Sequence, residues 1–382
     1  MHAIKKVVPI GLAMFSMYFG SGNIVFPMLV GQKTGVQSTY AIFGLLITAV
    51  LVPFLALVAM FFYNGSYFLF FKRLGTKTAW ILITIIMALI GPLAIIPRCV
   101  LISFSTIQTF FPTTQLILFN ATSCLLIFAC TYKRSRIIDI LGVYLTPVLL
   151  LCLVIIIAKG FLSEAVPVNV NDLTSLSAFK FGLIEGYNTM DIFGSFMFSG
   201  VILSSIKSKF TLKSEKDFIS ISFLAGIIGM GALALVYMGI CFVSSRYVDI
   251  LSGVPTERLL SVLTLHLLGP YAGIIVCIAV SLACLTTAIS LALVFSEFVS
   301  NEVLAGKVPY QKTLCVTLLI SFLISTMEFS GIQKFLVPIL VVCLPCFILL
   351  SVLNLAHKTI GFNMVKLPVL LLFVYSFYTY VY

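Results

Sequence analysis

The chain has little charge and few of the residues that soluble enzymes use for chemistry. Only 9% of its 382 residues are charged, and it has three histidines and one tryptophan. Soluble domains carry roughly a quarter charged residues, so an ordinary soluble fold is excluded. His2, His266 and His357 are scattered and form no metal-binding spacing.

Several functional motifs are also missing. The sequence has no phosphate loop, dinucleotide-binding glycine pattern or nucleophile elbow in a suitable context. The chain also has no long soluble domain, which excludes an ATP-driven pump working alone. An intramembrane enzyme would need His, Asp or Glu clustered at one membrane face, and none is evident. We therefore expect neither an enzyme nor a bound organic cofactor.

What is present is hydrophobic sequence in long runs. Hydrophobic residues make up 61% of the chain, and runs of about 20 residues match the length of a membrane-spanning α-helix. Strands of a β-barrel would be about half as long and would alternate. The first run continues to Val30 without a small-residue cleavage site, so it predicts a retained helix and not a signal peptide. The expected fold is an all-α polytopic membrane protein, with membrane lipid around it.

Apolar runs between polar residues predict about 11 transmembrane helices. A shorter amphipathic segment, 256–268, is expected to lie on the surface. Helices 1 to 5 would occupy 7–158 and helices 6 to 10 would occupy 181–355, with one additional helix at the end. The predicted spans are 7–30, 39–63, 79–109, 114–131, 138–158, 181–205, 218–243, 271–297, 313–328, 335–355 and 367–382.

The basic residues predict the orientation of these helices. With a cytoplasmic N-terminus, 16 of the 23 lysines and arginines fall in inside loops and 6 in outside loops, as the positive-inside rule requires. The same distribution over short loops explains the net charge of +11 without a nucleic-acid partner. Helix 6 then crosses the membrane in the direction opposite to helix 1, so the two groups of five helices are expected to form a five-plus-five inverted repeat.

Helices 1 and 6 both carry polar interruptions. Paired broken helices at corresponding positions of two halves indicate a midplane binding site in a secondary transporter. A glycine-lined packing face between helices is the alternative. We therefore predict that substrate binds at two short segments: Gly20, Ser21, Gly22 and Asn23 in helix 1, and Gly186, Tyr187 and Asn188 in helix 6.

Three ionisable residues lie within or near these spans. Arg98 follows Gly91-Pro92 and Pro97 in helix 3, while Glu185 and Asp191 belong to helix 6. Intramembrane charges are costly and usually have a partner. We expect Arg98 to form a structural or gating ion pair with Asp191 or Glu185. Arg98 could instead hold a substrate carboxylate, and Glu185 could be solvated at the outer mouth.

Helix 8 contains adjacent threonines in the run Leu282-Ala-Cys-Leu-Thr-Thr-Ala288. Threonine hydroxyls in a helix often return to backbone carbonyls of the preceding turn, and this is the simpler interpretation. The alternative is a site for an alkali cation, because hydroxyl and carbonyl oxygens are the hard ligands that such ions prefer.

Four motifs together resemble one known family. Phe19-Gly-Ser-Gly-Asn-Ile-Val-Phe-Pro27, Gly91-Pro-Leu-Ala-Ile-Ile-Pro-Arg98, Glu185-Gly-Tyr-Asn-Thr-Met-Asp191 and Leu282-Ala-Cys-Leu-Thr-Thr-Ala-Ile289 are similar to the bacterial branched-chain amino acid carriers. The resemblance covers nearly the whole chain. It implies symport of leucine, isoleucine and valine with sodium, on the five-plus-five inverted-repeat fold.

The resemblance also implies a cation site. By similarity to sodium-coupled carriers of this fold, sodium would bind the carbonyls of Ser16 and Phe19 together with Ala283, Thr286 and Thr287. The carriers usually have twelve helices, whereas eleven are predicted here.

These observations predict a secondary symporter in the cytoplasmic (inner) membrane. The substrate carboxylate is expected near the helix 1 amides and its ammonium group on carbonyls of helices 1 and 6. Another apolar amino acid such as methionine, coupling to protons or lithium, and a channel remain as alternatives. The sequence does not indicate the oligomeric state.

Overall fold

The computed structural model describes residues 2–133, 144–163, 173–210, 214–269, 273–327 and 329–381. Within these ranges the chain is helical and contains no strand. The helices are α1 His2–Tyr18, α2 Ser21–Thr34, α3 Ser38–Leu46, α4 Val52–Phe62, α5 Tyr67–Phe71, α6 Thr76–Ala88, α7 Ile95–Phe110, α8 Leu116–Thr131, α9 Thr146–Leu162, α10 Ser175–Asn188, α11 Asp191–Lys209, α12 Glu215–Ser245, α13 Val248–Leu251, α14 Leu259–Leu268, α15 Gly273–Phe298, α16 Tyr310–Ile324, α17 Phe329–Ile360 and α18 Lys366–Val381.

Glycine and proline account for several of the interruptions between helices. The π-helical segment Ile47–Leu51 joins α3 to α4 just before Pro53. A second one, Leu89–Leu93, joins α6 to α7, and within it Gly91 leaves the helical region (φ −83°, ψ −120°). Proline removes a backbone donor and clashes with the preceding turn, so the chain unwinds where Gly91 and Pro92 occur.

The described helices lie close to the predicted spans, but fewer than eleven of them are long enough to cross a membrane on their own. Five segments are long and apolar enough to cross a membrane, and the bent pair of α10 and α11 makes a sixth. Five further apolar helices have 10–17 residues. The chain is therefore a polytopic helical membrane protein, and the count of eleven spans and the inverted repeat stay predictions. Parts of the spans predicted at 138–158, 271–297, 313–328 and 367–382 lie outside the described residues.

The segment predicted to be a short surface helix is helical. It forms a 3-10 turn, Thr256–Arg258, followed by α14. One side of α14 is buried, including Leu259 and Leu263, because it packs against α2 and α15.

The two broken helices lie at the centre of the molecule. The first half of one, α1, packs against α11, and its second half, α2, packs against α10. The segment α1 precedes the first break and α11 follows the second break. Because α1 contacts α11 and α2 contacts α10, the two broken helices are antiparallel and their breaks lie side by side. The long helices α12 and α15 pack against both α1 and α2. The site therefore has helices on all sides.

Candidate functional site

The first break lies at Phe19 and Gly20, between α1 and α2. Gly20 has extended dihedrals, and its N–H donates to Asn23 Oδ1 at 3.0 Å. A Cβ at Gly20 would lie 2.8 Å from Thr287 Oγ1, so glycine allows the chain to pass directly against α15. The break was predicted to extend over Gly20 to Asn23. The structure places Ser21, Gly22 and Asn23 in the first turn of α2.

The second break lies at Thr189 and Met190, between α10 and α11. Met190 has a left-handed conformation (φ 65°), and the two helices are bent by 41° relative to each other. The predicted interruption, Gly186 to Thr189, includes only the first residue of this break, because Gly186 to Asn188 form the last turn of α10.

The residues predicted for substrate binding in helix 6 have other contacts. A Cβ at Gly186 would lie 2.0 Å from Thr48 Oγ1 and 2.9 Å from the Leu45 carbonyl, so this glycine allows α10 to pack closely on the end of α3 and the π-helical segment after it. Asn188 donates to Glu185 Oε2 at 2.9 Å, and Tyr187 is partly buried. None of these four residues of α10 lines the cavity described next. The binding role of Gly186, Tyr187 and Asn188 stays a prediction, and the local structure supports a packing role for Gly186.

A cavity of about 20 Å³ lies where the two breaks meet. A cavity needs roughly 10–15 Å³ to hold one water molecule, so this one has room for a water or an ion but not for an amino acid. Its apolar lining includes Met17, Ile90, Ile95, Met190, Phe198 and Leu291. Its polar lining includes Ser21, Asn23, Arg98, Thr189, Asp191 and Thr287.

Asp191, the first residue of α11, is held by two side chains. Asn23 Nδ2 lies 2.8 Å from both carboxylate oxygens, and the Tyr237 hydroxyl donates to Oδ2 at 2.8 Å. Asn23 Nδ2 also contacts the Tyr237 hydroxyl. All three residues are at most 5% exposed. The cluster joins both broken helices to α12, and the N-terminal end of α11 further favours a negative charge.

Arg98 is in the first turns of α7 and is 1% exposed. Its Nη1 lies 3.6 Å from Met190 Sδ, and its guanidinium carbon lies 5.4 Å from the centre of the Phe26 ring. A Cβ at Gly22 would lie 3.4 Å from Nη2. Arg98 is therefore within the protein interior, at the start of α7. It shares the cavity with Asp191, whereas Glu185 lies outside it, and the predicted ion pair stays a prediction.

Of the residues predicted for the cation site, Ser16 and Thr287 are in direct contact between helices. The Thr287 hydroxyl donates to the Ser16 carbonyl at 3.2 Å, which joins the end of α1 to α15. Thr286 instead donates to the Ala283 carbonyl at 3.0 Å, as the simpler interpretation of these threonines expects. The N–H of Phe19 donates to Phe15 and continues α1 to the break. All five predicted ligands are buried.

Sequence reasoning missed Tyr237 and Met190. Tyr237 lies within the long apolar helix α12, where a buried hydroxyl at membrane depth requires a partner. The sequence could therefore have indicated that Tyr237 has a polar partner, but it could not have indicated that the partner is Asp191. Met190 gave no signal, because methionine rarely adopts a left-handed conformation.

Two broken helices that meet around a buried polar cavity, in a polytopic helical protein, are a feature of membrane transporters. The family can also be named. The chain belongs to the branched-chain amino acid transport protein family, whose model matches residues 3–380.

Two relatives illustrate the similarity. One, from Staphylococcus epidermidis, is 29% identical over 377 residues, which cover 93% of this chain and 83% of the relative. The other, from Staphylococcus aureus, is 28% identical over 400 residues, covering 98% of this chain and 88% of the relative. Both are provisionally named branched-chain amino acid carrier proteins.

Proposed function

We propose that this protein is a symporter that imports leucine, isoleucine and valine across the cytoplasmic membrane together with sodium. The observation that carries the proposal is the meeting of the two helix breaks at one buried polar cavity, in a chain of this family. A channel needs no such pair of breaks. The excess of basic residues in the inside loops supports a cytoplasmic N-terminus.

The contact between α1 and α15 supports a sodium site. Oxygen ligands lie about 2.3–2.6 Å from a cation of similar size, calcium. Two oxygens 3.2 Å apart, as are the Ser16 carbonyl and the Thr287 hydroxyl, would then subtend about 75–90° at the ion, close to octahedral geometry. To bind an ion, the Thr287 hydroxyl would turn its proton away and present a lone pair. The ion would then join the broken helix to α15.

The size of the cavity implies movement during transport. Leucine does not fit in about 20 Å³, so the helices around the breaks must separate for it to enter. The predicted helices 1, 2, 6 and 7 correspond to α1 to α4 and α10 to α12, which pack on one another. These helices would rock together against the others and so alternate access to the site. The apolar lining residues would then receive the aliphatic side chain of the substrate, which favours branched-chain over polar amino acids.

Uptake of labelled leucine into proteoliposomes tests this function. We expect uptake to concentrate leucine under an inward sodium gradient and to cease when the gradient is absent. Thr287→Ala should raise the sodium concentration for half-maximal uptake by about tenfold or more, since a lost ligand to a cation costs about 1.5–3 kcal/mol. Thr264→Ala is the matched control, because Thr264 is also buried but donates only to Leu260 within α14.

The other outcomes identify the alternatives. Uptake driven by a proton gradient would show that protons, and not sodium ions, are coupled to transport. Methionine competing better than leucine, isoleucine and valine would change the substrate. Flux that neither saturates nor concentrates leucine would indicate a channel and would refute the proposal.

A further inference from the structure

Two buried side chains of opposite charge line the same cavity. Arg98 approaches it from α7 and Asp191 from the start of α11, and they are 1% and 5% exposed. A buried charge is costly unless it is compensated. A free amino acid is a zwitterion, with one carboxylate and one ammonium group. The charges of this site are therefore complementary to both ends of an amino acid.

We propose that the substrate is bound as a zwitterion between these two residues, its ammonium group on Asp191 and its carboxylate on Arg98. This inference rests on the proposed function and goes further, because it assigns the two polar ends of the substrate to named side chains. It differs from the predicted ion pair, in which the two charges serve only each other.

The hydrogen bonds of Asp191 leave capacity for an ammonium group. A carboxylate has about four lone-pair positions. Asn23 uses one on each oxygen and Tyr237 uses a second on Oδ2. The Thr189 side chain also interacts with the carboxylate, but its hydroxyl proton is donated to the Gly186 carbonyl, so a further position remains on Oδ1. Asn23 is itself fixed at its other end, because its Oδ1 accepts from the N–H of Gly20. The carboxylate is thus held in one orientation before substrate arrives, which lowers the cost of binding.

Arg98 lies where the substrate carboxylate is expected. Its Nη2 is close to Gly22, in the first turn of α2, and the first amides of a helix have no acceptor within that helix. A carboxylate placed there would meet the guanidinium and the positive end of α2 together. Met190, beside Asp191, contacts the same guanidinium. The two charges are therefore on adjacent parts of one cavity wall.

Competition experiments with leucine and two truncated analogues test the assignment. Isoamylamine is leucine without its carboxylate, and isocaproate is leucine without its amino group. Each inhibits uptake of labelled leucine with its own constant. A charge-assisted hydrogen bond contributes roughly 10- to 100-fold in affinity, so wild type should prefer leucine to each analogue by at least that factor.

The variants should change these preferences selectively. Asp191→Asn should lower the preference for leucine over isocaproate by about tenfold or more and leave the preference over isoamylamine nearly unchanged. Arg98→Gln should do the reverse. Arg246→Gln is the matched control, because Arg246 contacts the backbone of residues 160, 161 and 163 away from the cavity, and it should change neither preference.

Other results overturn the proposal. If Asp191→Asn and Arg98→Gln weaken all three ligands equally, the two residues have only a structural role. If Asp191→Asn does not fold, Tyr237→Phe replaces it, since this change keeps both charges and removes one hydrogen bond to Asp191; its effect must then be larger for leucine than for isocaproate. Failure of wild type to take up leucine would refute the proposed function, whereas uptake without selective changes refutes only the zwitterion assignment.

Discussion

The contact between Gly20 and Thr287 offers a direct test of the cation site. A methyl group added by Gly20→Ala would lie 2.8–2.9 Å from three atoms of the Thr287 side chain. Non-bonded carbon atoms are most stable at about 3.5–4.0 Å, so the break and α15 must separate by roughly 0.7 Å. The extended dihedrals of Gly20 are open to alanine. The variant therefore tests this contact and not backbone strain.

The separation should weaken sodium binding. It moves the Thr287 hydroxyl relative to the Ser16 carbonyl, now 3.2 Å away, and overpacking costs about 1–3 kcal/mol. If the ion binds only when α1 and α15 are in contact, that cost falls on the sodium-bound form. We expect the sodium concentration for half-maximal leucine uptake to rise at least about fivefold, the equivalent of 1 kcal/mol.

Two further variants control this measurement in proteoliposomes. Gly231→Ala adds a methyl group to α12 where no atom lies within 4 Å, so its sodium dependence should equal that of wild type. Adding Thr287→Ser to Gly20→Ala removes one of the three crowded atoms and keeps the hydroxyl, and it should restore part of the sodium affinity. An unchanged sodium dependence in Gly20→Ala would refute the proposed role of the α1 and α15 contact.

Three other changes test the packing, the polar cluster and the orientation. Gly186→Ala should lower thermal stability in detergent, because its methyl group meets Thr48; wild-type stability with weaker leucine binding would favour the predicted substrate role. Asn23→Ala removes both Asn23 contacts to Asp191 and should weaken leucine binding at least about tenfold; unchanged competition by unlabelled leucine would contradict this. A membrane-impermeant thiol reagent applied to intact cells should label Lys159→Cys and spare Lys307→Cys, both at exposed positions, and the opposite pattern would reverse the orientation.

Much of the helical architecture could be predicted from local sequence. Hydropathy locates apolar helices because a bilayer requires about 20 apolar residues wherever the chain crosses it, and most predicted spans begin or end within a few residues of an observed helix. The first break was also predictable, since glycine and asparagine interrupt an apolar run there. Its exact start at Phe19 was not, because Ser21 to Asn23 can form a helical turn once Asn23 accepts from Gly20.

The second break shows where local reasoning failed. Gly186 suggested a weak helix, yet it lies within α10 and packs on Thr48. The chain breaks instead at Met190, whose left-handed conformation costs free energy that only surrounding contacts can offset. Glycine at a close helix contact and glycine at a break look the same in a sequence.

The sequence alone determined that this is a polytopic helical membrane protein of the branched-chain amino acid transport family, because composition, hydropathy and motifs are properties of the chain itself. Only the tertiary structure decided which polar groups meet. Asn23, Asp191 and Tyr237 are far apart in the chain, and which face each presents depends on how α2, α11 and α12 pack. The same packing brings Arg98 to the cavity of Asp191 and Thr287 to the carbonyl of Ser16, since buried polar groups must find partners inside the protein where lipid offers none.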